Sequence, residues 1–282
     1  MFDPVKESFH ILHHQSPISE SFQLLGVTFD VKLVMEDAIA RVMAKAHQRI
    51  KSLLRGRRFF SKVVLISLYK SQVLSCIEWA TPAIYHAPRF FLRRLDALQD
   101  SFLIELDITA RDALRYHNLA PLSTRRDIAM LAVIHRCMID QGPWQFKRHI
   151  KPQTGDRLPF PRGFRHPETR HGLQVHDVMD GTESNALRRS MLSLVYPYNL
   201  LPKHIVSATS LKQFQGMLQA GVKQSCEKGH SNWEHVLSDG VRMMTVPSFQ
   251  SLFQARQSKD SCGPKNGKVL RTRLNRVGYG VQ

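Results

Sequence analysis

From Met35 to Leu54 the apolar residues Met35, Ile39, Val42, Met43, Ala46, Ile50, Leu53 and Leu54 recur at steps of three and four, the period of an α-helix with one buried stripe. Gly56 stands where such a helix would stop. On a helical wheel Arg41, Lys45, Arg49 and Arg55 fall nearly opposite the stripe, so burying the apolar side turns a row of cations toward solvent or a ligand. The pattern outlasts one helix: between Ala38 and Ile77 stand nine basic residues, Arg41, Lys45, Arg49, Lys51, Arg55, Arg57, Arg58, Lys62 and Lys70, without a single Asp or Glu. A solubilising face ordinarily mixes signs, because Glu and Lys at i, i+4 stabilise a helix by ~0.2–0.5 kcal/mol per pair and like charges oppose it by similar amounts. A phosphate backbone would offset that loss by neutralisation and counterion release. Phe59 and Phe60, beside Arg57 and Arg58, read first as packing at the helix junction, with stacking on bases as the other role.

The rest of the chain supplies enough apolar material to fold around that stripe. Its 282 residues are 43% apolar and carry a formal charge of +17, which points to polyanionic partners, nucleic acid before anionic membrane. Before the long helix, Phe9 to Leu12 and Phe22 to Phe29 read as two strands joined through Ser16 to Ser21, a hairpin too small to stand alone. After it, a helix is expected from an Ser61 N-cap to Ile77, ended by Thr81 and Pro82. Others are expected over Pro88 to Leu106 and from Ser123 to Gly142-Pro143. The Pro- and Gly-rich stretch Lys151 to His171 reads as a linker. Weaker helices follow at Glu183 to Leu194, Ser210 to Gln219, Ser231 to Val241 and Pro247 to Gln257. From Ser258 a basic, apolar-poor tail is expected to be disordered. The expected fold is therefore α+β and predominantly α-helical: a hairpin over 1–34, a helical bundle over 35–150, a linker over 151–182, a helical extension over 183–257 and a tail over 258–282.

Signals for chemistry are mostly negative. Two-metal polymerase chemistry needs closely placed carboxylates, and the sequence has no Asp-Asp dipeptide. Asp177 and Asp180 stand beside the linker and read as solvated surface. His166 and His171 are separated by residues that include Pro167, which excludes the i, i+4 geometry of a zinc-protease helix. Cys226 and His230 lack a second ligand pair. No phosphate-loop, dinucleotide or nucleophile-elbow motif occurs. Cys76, Cys137, Cys226 and Cys262 form no CxxC pair and read as ordinary thiols. No apolar run is long enough to span a bilayer and the N-terminus lacks a signal peptide's pattern, so an intracellular location, nuclear or cytoplasmic, is expected, without secretion or membrane contact.

The order of short motifs resembles one family. Phe22-Gln23-Leu24-Leu25-Gly26-Val27-Thr28-Phe29-Asp30 resembles the F-K-Y-L-G-V-x-x-D segment that ends the palm of non-LTR retrotransposon reverse transcriptases. Lys32-Leu33 and the helix through Ala46 are similar to the family's next segments. Leu68-Tyr69-Lys70-Ser71 with Val73-Leu74 resembles L-Y-K-x-x-V-x-P, and Ile77-Glu78-Trp79-Ala80-Thr81-Pro82 resembles L-E-Y-x-x-P. Leu95-Asp96-Ala97-Leu98-Gln99 is similar to L-E-x-x-Q. Tyr198-Asn199-Leu200-Leu201-Pro202 with Ser210-Leu211-Lys212-Gln213-Phe214 is similar to W-N-x-L-P followed by S-L-x-x-F-K. The likeness runs from Asp3 to Leu218. It departs from the family at Met35, where a Trp is usual, at the missing Trp before Asn199, and after Gln219.

The resemblance implies that the hairpin is a primer grip containing Leu24, Leu25 and Gly26, and that the helices form a thumb. It also implies that Lys6, in Asp3-Pro4-Val5-Lys6, corresponds to the lysine on the nucleotide side. The family's catalytic Asp-Asp would then lie before Met1. The expectation is a truncated RNA-directed DNA polymerase fragment that binds an RNA or DNA primer-template through its basic helix and is itself without a metal or cofactor, Mg2+ belonging only to an intact parent. The missing palm and fingers would be a further partner. The alternative is a helical protein-interaction module with incidental cations.

Overall fold

The computed structural model describes residues 10–11, 14–15, 21–153, 171–177 and 184–254. Within them the fold is predominantly α-helical behind a short N-terminal hairpin, as the periodicities require. The basic tail and most of the proposed linker lie outside the described residues.

The hairpin differs from the sequence expectation. His10–Ile11 (β1) pairs only with His14–Gln15 (β2), while Ser21–Leu24 (β3) pairs antiparallel with Val27–Asp30 (β4), Leu24 facing Val27. The single strand expected over Phe22 to Phe29 is thus folded back on itself. Leu25 and Gly26 take φ of 48° and 80°, the two positive values of the tight hairpin turn that matches strand twist. A leucine at the first of these positions conceals the turn in an apolar run.

Asp30, at the end of β4, joins the hairpin to the long helix α1, Glu36–Arg55. Its two carboxylate oxygens accept the backbone N–H groups of Val34 and Met35 at 2.9 and 2.6 Å. Burial raises the Asp30 pKa, but these and neighbouring backbone donors outweigh it and hold the carboxyl below its ordinary value. Glu36 and Asp37 place further negative charge on the first turn of α1, where the helix dipole favours it.

Of the expected stripe, Met35, Ile39, Val42, Ala46, Ile50 and Leu53 are buried, with Ala38 beside them, while Met43 and Leu54 are partly buried against the same core. Each large side chain so buried stabilises the fold by roughly 1.5–3 kcal/mol. After the corner at residues 56–61, Ser61 caps α2, Lys62–Leu68, by accepting from Val64 N–H at 3.4 Å. A π-turn, Tyr69–Leu74, and α3, Ser75–Glu78, continue the same rod. Here Tyr69 stacks on Phe102 of α5 with ring centroids 4.5 Å apart. Helices α4, Thr81–Ile84, α5, Arg89–Glu105, and α6, Ala110–His117, complete this first core. No helix was expected over α6; Thr109 caps it, accepting from Asp112 N–H at 3.1 Å.

A second core forms from the later helices. It is built from α7, Leu122–Met138, with α10, Val195–Asn199, α12, Leu211–Glu227, and α13, Val246–Ser251. Sequence reading grouped α7 with the helices before it, yet Leu131, Ile134 and Cys137 pack with Tyr198, Phe214 and Phe249. Short helices α8, Trp144–Lys147, α9, Asn185–Arg189, and α11, Lys203–Val206, lie between these elements. The helix expected over Ser231 to Val241 is two 3-10 turns, Trp233–His235 and Asp239–Met243.

Candidate nucleic-acid interface

Because α1 commits one side to the core, its opposite side carries the cations outward. Arg41, Lys45, Lys51 and Arg55 are exposed, as are Arg58 at the corner and Arg57 and Lys62 beside it. Their surroundings sort them into two groups. Arg57 meets Glu105 at 2.7 Å and Lys62 lies 3.9 Å from Asp107, both at the C-terminal end of α5. Arg49, though exposed, and the half-buried Lys70 each bond a backbone carbonyl. Arg49 donates to the Gln72 carbonyl in the π-turn and Lys70 donates to the His117 carbonyl at the end of α6. Burial and the nearby Arg125 hold Lys70 below its ordinary pKa. Among the described residues no carboxylate pairs with Arg41, Lys45, Lys51, Arg55 or Arg58.

Arg49 is exposed as the wheel expects, but its guanidinium is engaged by the Gln72 carbonyl. It sits nearer the edge of the apolar stripe than its neighbours, within reach of a carbonyl in a π-turn, where i→i+5 pairing displaces the usual acceptors. Sequence alone gives no sign of that turn.

The two phenylalanines of the corner separate. An ideal Cβ on Gly56 would lie 3.1 Å from Cδ2 and Cε2 of the Phe60 ring, so Phe60 lies against the glycine. Phe59 is 84% exposed against 47% for Phe60. Neither ring is buried in the core as expected, and of the two only Phe60 is in contact with Gly56.

Leu24 and Leu25 are exposed at the hairpin turn, Leu25 at 89%. Gly26 holds the turn against the Trp79 ring, 3.5 Å from an ideal Cβ. Phe22, Val31 and Leu33 are exposed as well among the described residues. Lys6 and Asp180 lie outside the described residues, as do His166 and Cys262. Cys76, Cys137 and Cys226 are buried free thiols.

Several residues that carry the family resemblance serve the fold. Gln99, buried, accepts from the Tyr69 hydroxyl at 3.4 Å and donates to the Ala120 carbonyl at 3.1 Å. Glu78 binds Arg125, and Asp96 takes both guanidinium nitrogens of Arg126 at 2.6 and 2.9 Å. Asn199 bonds the backbone of Val175 in both directions.

Sequence reading missed a cleft of about 700 Å³ between α5, α7 and the 233–243 turns. Its charges come from separate segments, so no local pattern announces it. Six arginines among its described lining residues face six carboxylates, and Arg126–Asp96 and Arg89–Asp239 already pair. Burial raises the Asp127 carboxyl above its ordinary value, although Ser238 and the Tyr85 hydroxyl, 2.9 Å away, bond to it. A balanced cleft attracts a polyanion less than the acid-free ridge does.

No group of three or more His, Cys, Asp or Glu among the described residues could hold a metal ion, and none of their helices is long and apolar enough to cross a membrane. Comparison with family models, curated proteins and solved structures gives no match.

Proposed function

We propose that this chain binds nucleic acid in a sequence-tolerant way, as the thumb-like part of a retroelement reverse transcriptase that holds a primer-template without catalysing on it. The observation that carries the reading is the ridge of Arg41, Lys45, Lys51, Arg55 and Arg58, exposed and without a carboxylate partner among the described residues. Five cations held on one rigid helix and its corner favour a line of phosphates, because phosphate contacts position a protein without reading bases. The link to reverse transcriptases rests on the order of the motifs from Phe22 to Phe214. The absence of an Asp-Asp dipeptide from the sequence supports a binding role over polymerisation.

The test is filter binding of the full chain to RNA and to duplex DNA across a salt series. Five phosphate contacts give a slope of log K against log salt of about −4.5 on duplex DNA and about −3.5 on a single strand. Binding that is absent at low salt, or flat with salt, refutes the reading.

The second reading, a protein-interaction module, is favoured by the hairpin, whose Phe22, Leu24, Leu25, Val31 and Leu33 are exposed. Exposed apolar side chains of this kind suit a protein partner, including the palm and fingers portion that the resemblance calls for. This reading makes no demand on the cations of α1, so reversing them would leave partner capture intact.

A further inference from the structure

We infer that the corner between α1 and α2 is a stacking site for an unpaired nucleobase, with Phe59 as the platform and Lys51, Arg55 and Arg58 as holders of the flanking phosphates. The inference deepens the nucleic-acid reading and rests on it, naming single-stranded nucleotides as the class held at this end of the ridge.

Three observations meet here. Phe59 is 84% exposed against 47% for Phe60, and it is the Phe60 ring that lies against Gly56. Lys51, Leu54, Arg55, Arg57, Arg58 and Phe59 line one open depression, so the ring stands beside four cations, of which Arg57 is paired with Glu105 and the other three have no carboxylate partner among the described residues. The corner is also fixed in place: Gly56 N–H bonds the Leu53 carbonyl at 3.0 Å, Phe59 N–H bonds the Gly56 carbonyl at 2.9 Å, Arg57 is tied to Glu105, and Ser61 caps the next helix. A platform already ordered loses little freedom when a base settles on it.

An exposed aromatic ring with cations around it suits a single strand for a physical reason. Every unpaired base offers a π-face, and its phosphates lie within the reach of long basic side chains. In a duplex those faces are stacked on one another, so only the phosphates remain for the protein. A lipid surface could also take a ring flanked by cations, but the ridge continues along α1 through Lys45 and Arg41 as a line of charge, which follows a strand's backbone.

The experiment uses the full chain with Phe59→Leu and Phe59→Trp, two substitutions at an exposed position that leave the core untouched. The probes are oligo(dT), a blunt DNA duplex with the same number of phosphates, and vesicles containing phosphatidylserine. Phe59→Leu keeps apolar bulk and removes the π-face. The inference expects it to weaken oligo(dT) binding by between about 5- and 150-fold, the range for loss of one stacked base, with duplex binding changed less than about twofold. Phe59→Trp should retain oligo(dT) affinity, its added fluorescence quenched on binding. Equal losses on both nucleic acids, or no loss on either, overturn the stacking site while leaving the phosphate reading intact. Loss of vesicle binding alone overturns it in favour of a membrane contact. Failure of the unaltered chain to bind either nucleic acid removes the underlying reading and this inference with it.

Discussion

Asn199 bonds the main chain of Val175 as a neighbouring strand would: its Oδ1 accepts the Val175 N–H and its Nδ2 donates to the Val175 carbonyl, both at 2.8 Å. The pair is buried and ties residues 171–177, inside the expected linker, to α10. Asn199→Leu abolishes both bonds and Asn199→Asp loses the donor while burying a charge. Either substitution should lower the unfolding free energy by about 2–4 kcal/mol, since each buried backbone group left unpaired costs about 1–3 kcal/mol. Urea denaturation checks this, and a change below about 0.5 kcal/mol would contradict it.

The same strap carries an acid-sensitive group. His171 is buried, donates from Nε2 to the Tyr198 carbonyl at 3.1 Å, and accepts Leu173 N–H on Nδ1 at 3.2 Å. Burial, against the Tyr198 bond and with His135 nearby, pushes its pKa from 6.5 down to about 4. A proton on Nδ1 would also break the Leu173 bond. With the folded value depressed, the unfolded chain binds more protons below pH 6.5, so this contribution is complete above the unfolded value and drains away as pH falls toward 4. A shift of that size corresponds to about 3 kcal/mol. Burial raises the pKa of Asp100, Asp127 and Glu234, which gives dependences of the opposite sign. The measurement is therefore a difference: the stability gap between the unaltered chain and His171→Gln should narrow from pH 7 to pH 4. A gap constant across that range would contradict the account.

Leu25 holds φ at 48° with its side chain in solvent, a left-handed conformation that a branched apolar residue adopts at a cost of about 1 kcal/mol. Leu25→Asn, making an Asn-Gly turn, should raise stability by about 0.5–1 kcal/mol. If Leu25 stays for contact with a partner, the stabilised variant should lose partner affinity as it gains thermal stability. A variant no more stable than the unaltered chain would show that the turn is unstrained.

What could be read from the sequence follows a physical division. Period and caps act over a few residues, so α1, α5 and α7 and the Ser61 cap were visible in their local residues. The fold class was visible for the same reason. The turn at Leu25-Gly26 was hidden because tertiary support from Trp79 permits a leucine where an asparagine would signal the reversal. The π-turn at Tyr69–Leu74 has no local signature, and with it went the true destination of Arg49. The acid-free stretch was plain, but which cations stay unpaired depends on Glu105 and Asp107, about fifty residues away in the chain. Phe59 and Phe60 show the limit most clearly. Adjacent and chemically identical, they differ only in which one meets Gly56.

The central claim is that position on the ridge, and not total charge, carries nucleic-acid binding. Arg41→Glu, Arg55→Glu and Arg58→Glu combined should be set against Lys203→Glu, Lys212→Glu and Lys228→Glu, three exposed cations on other elements. Both triple variants lower the net charge equally. Measured by anisotropy on one RNA at one low salt concentration, the ridge variant should lose at least about 100-fold in affinity, three of five phosphate contacts having been replaced by repulsion. The other should stay within about threefold of the unaltered chain, because a distant charge is screened beyond roughly 10 Å. Equal losses in the two variants would mean that the chain binds by bulk charge alone, and the account of the ridge would be wrong.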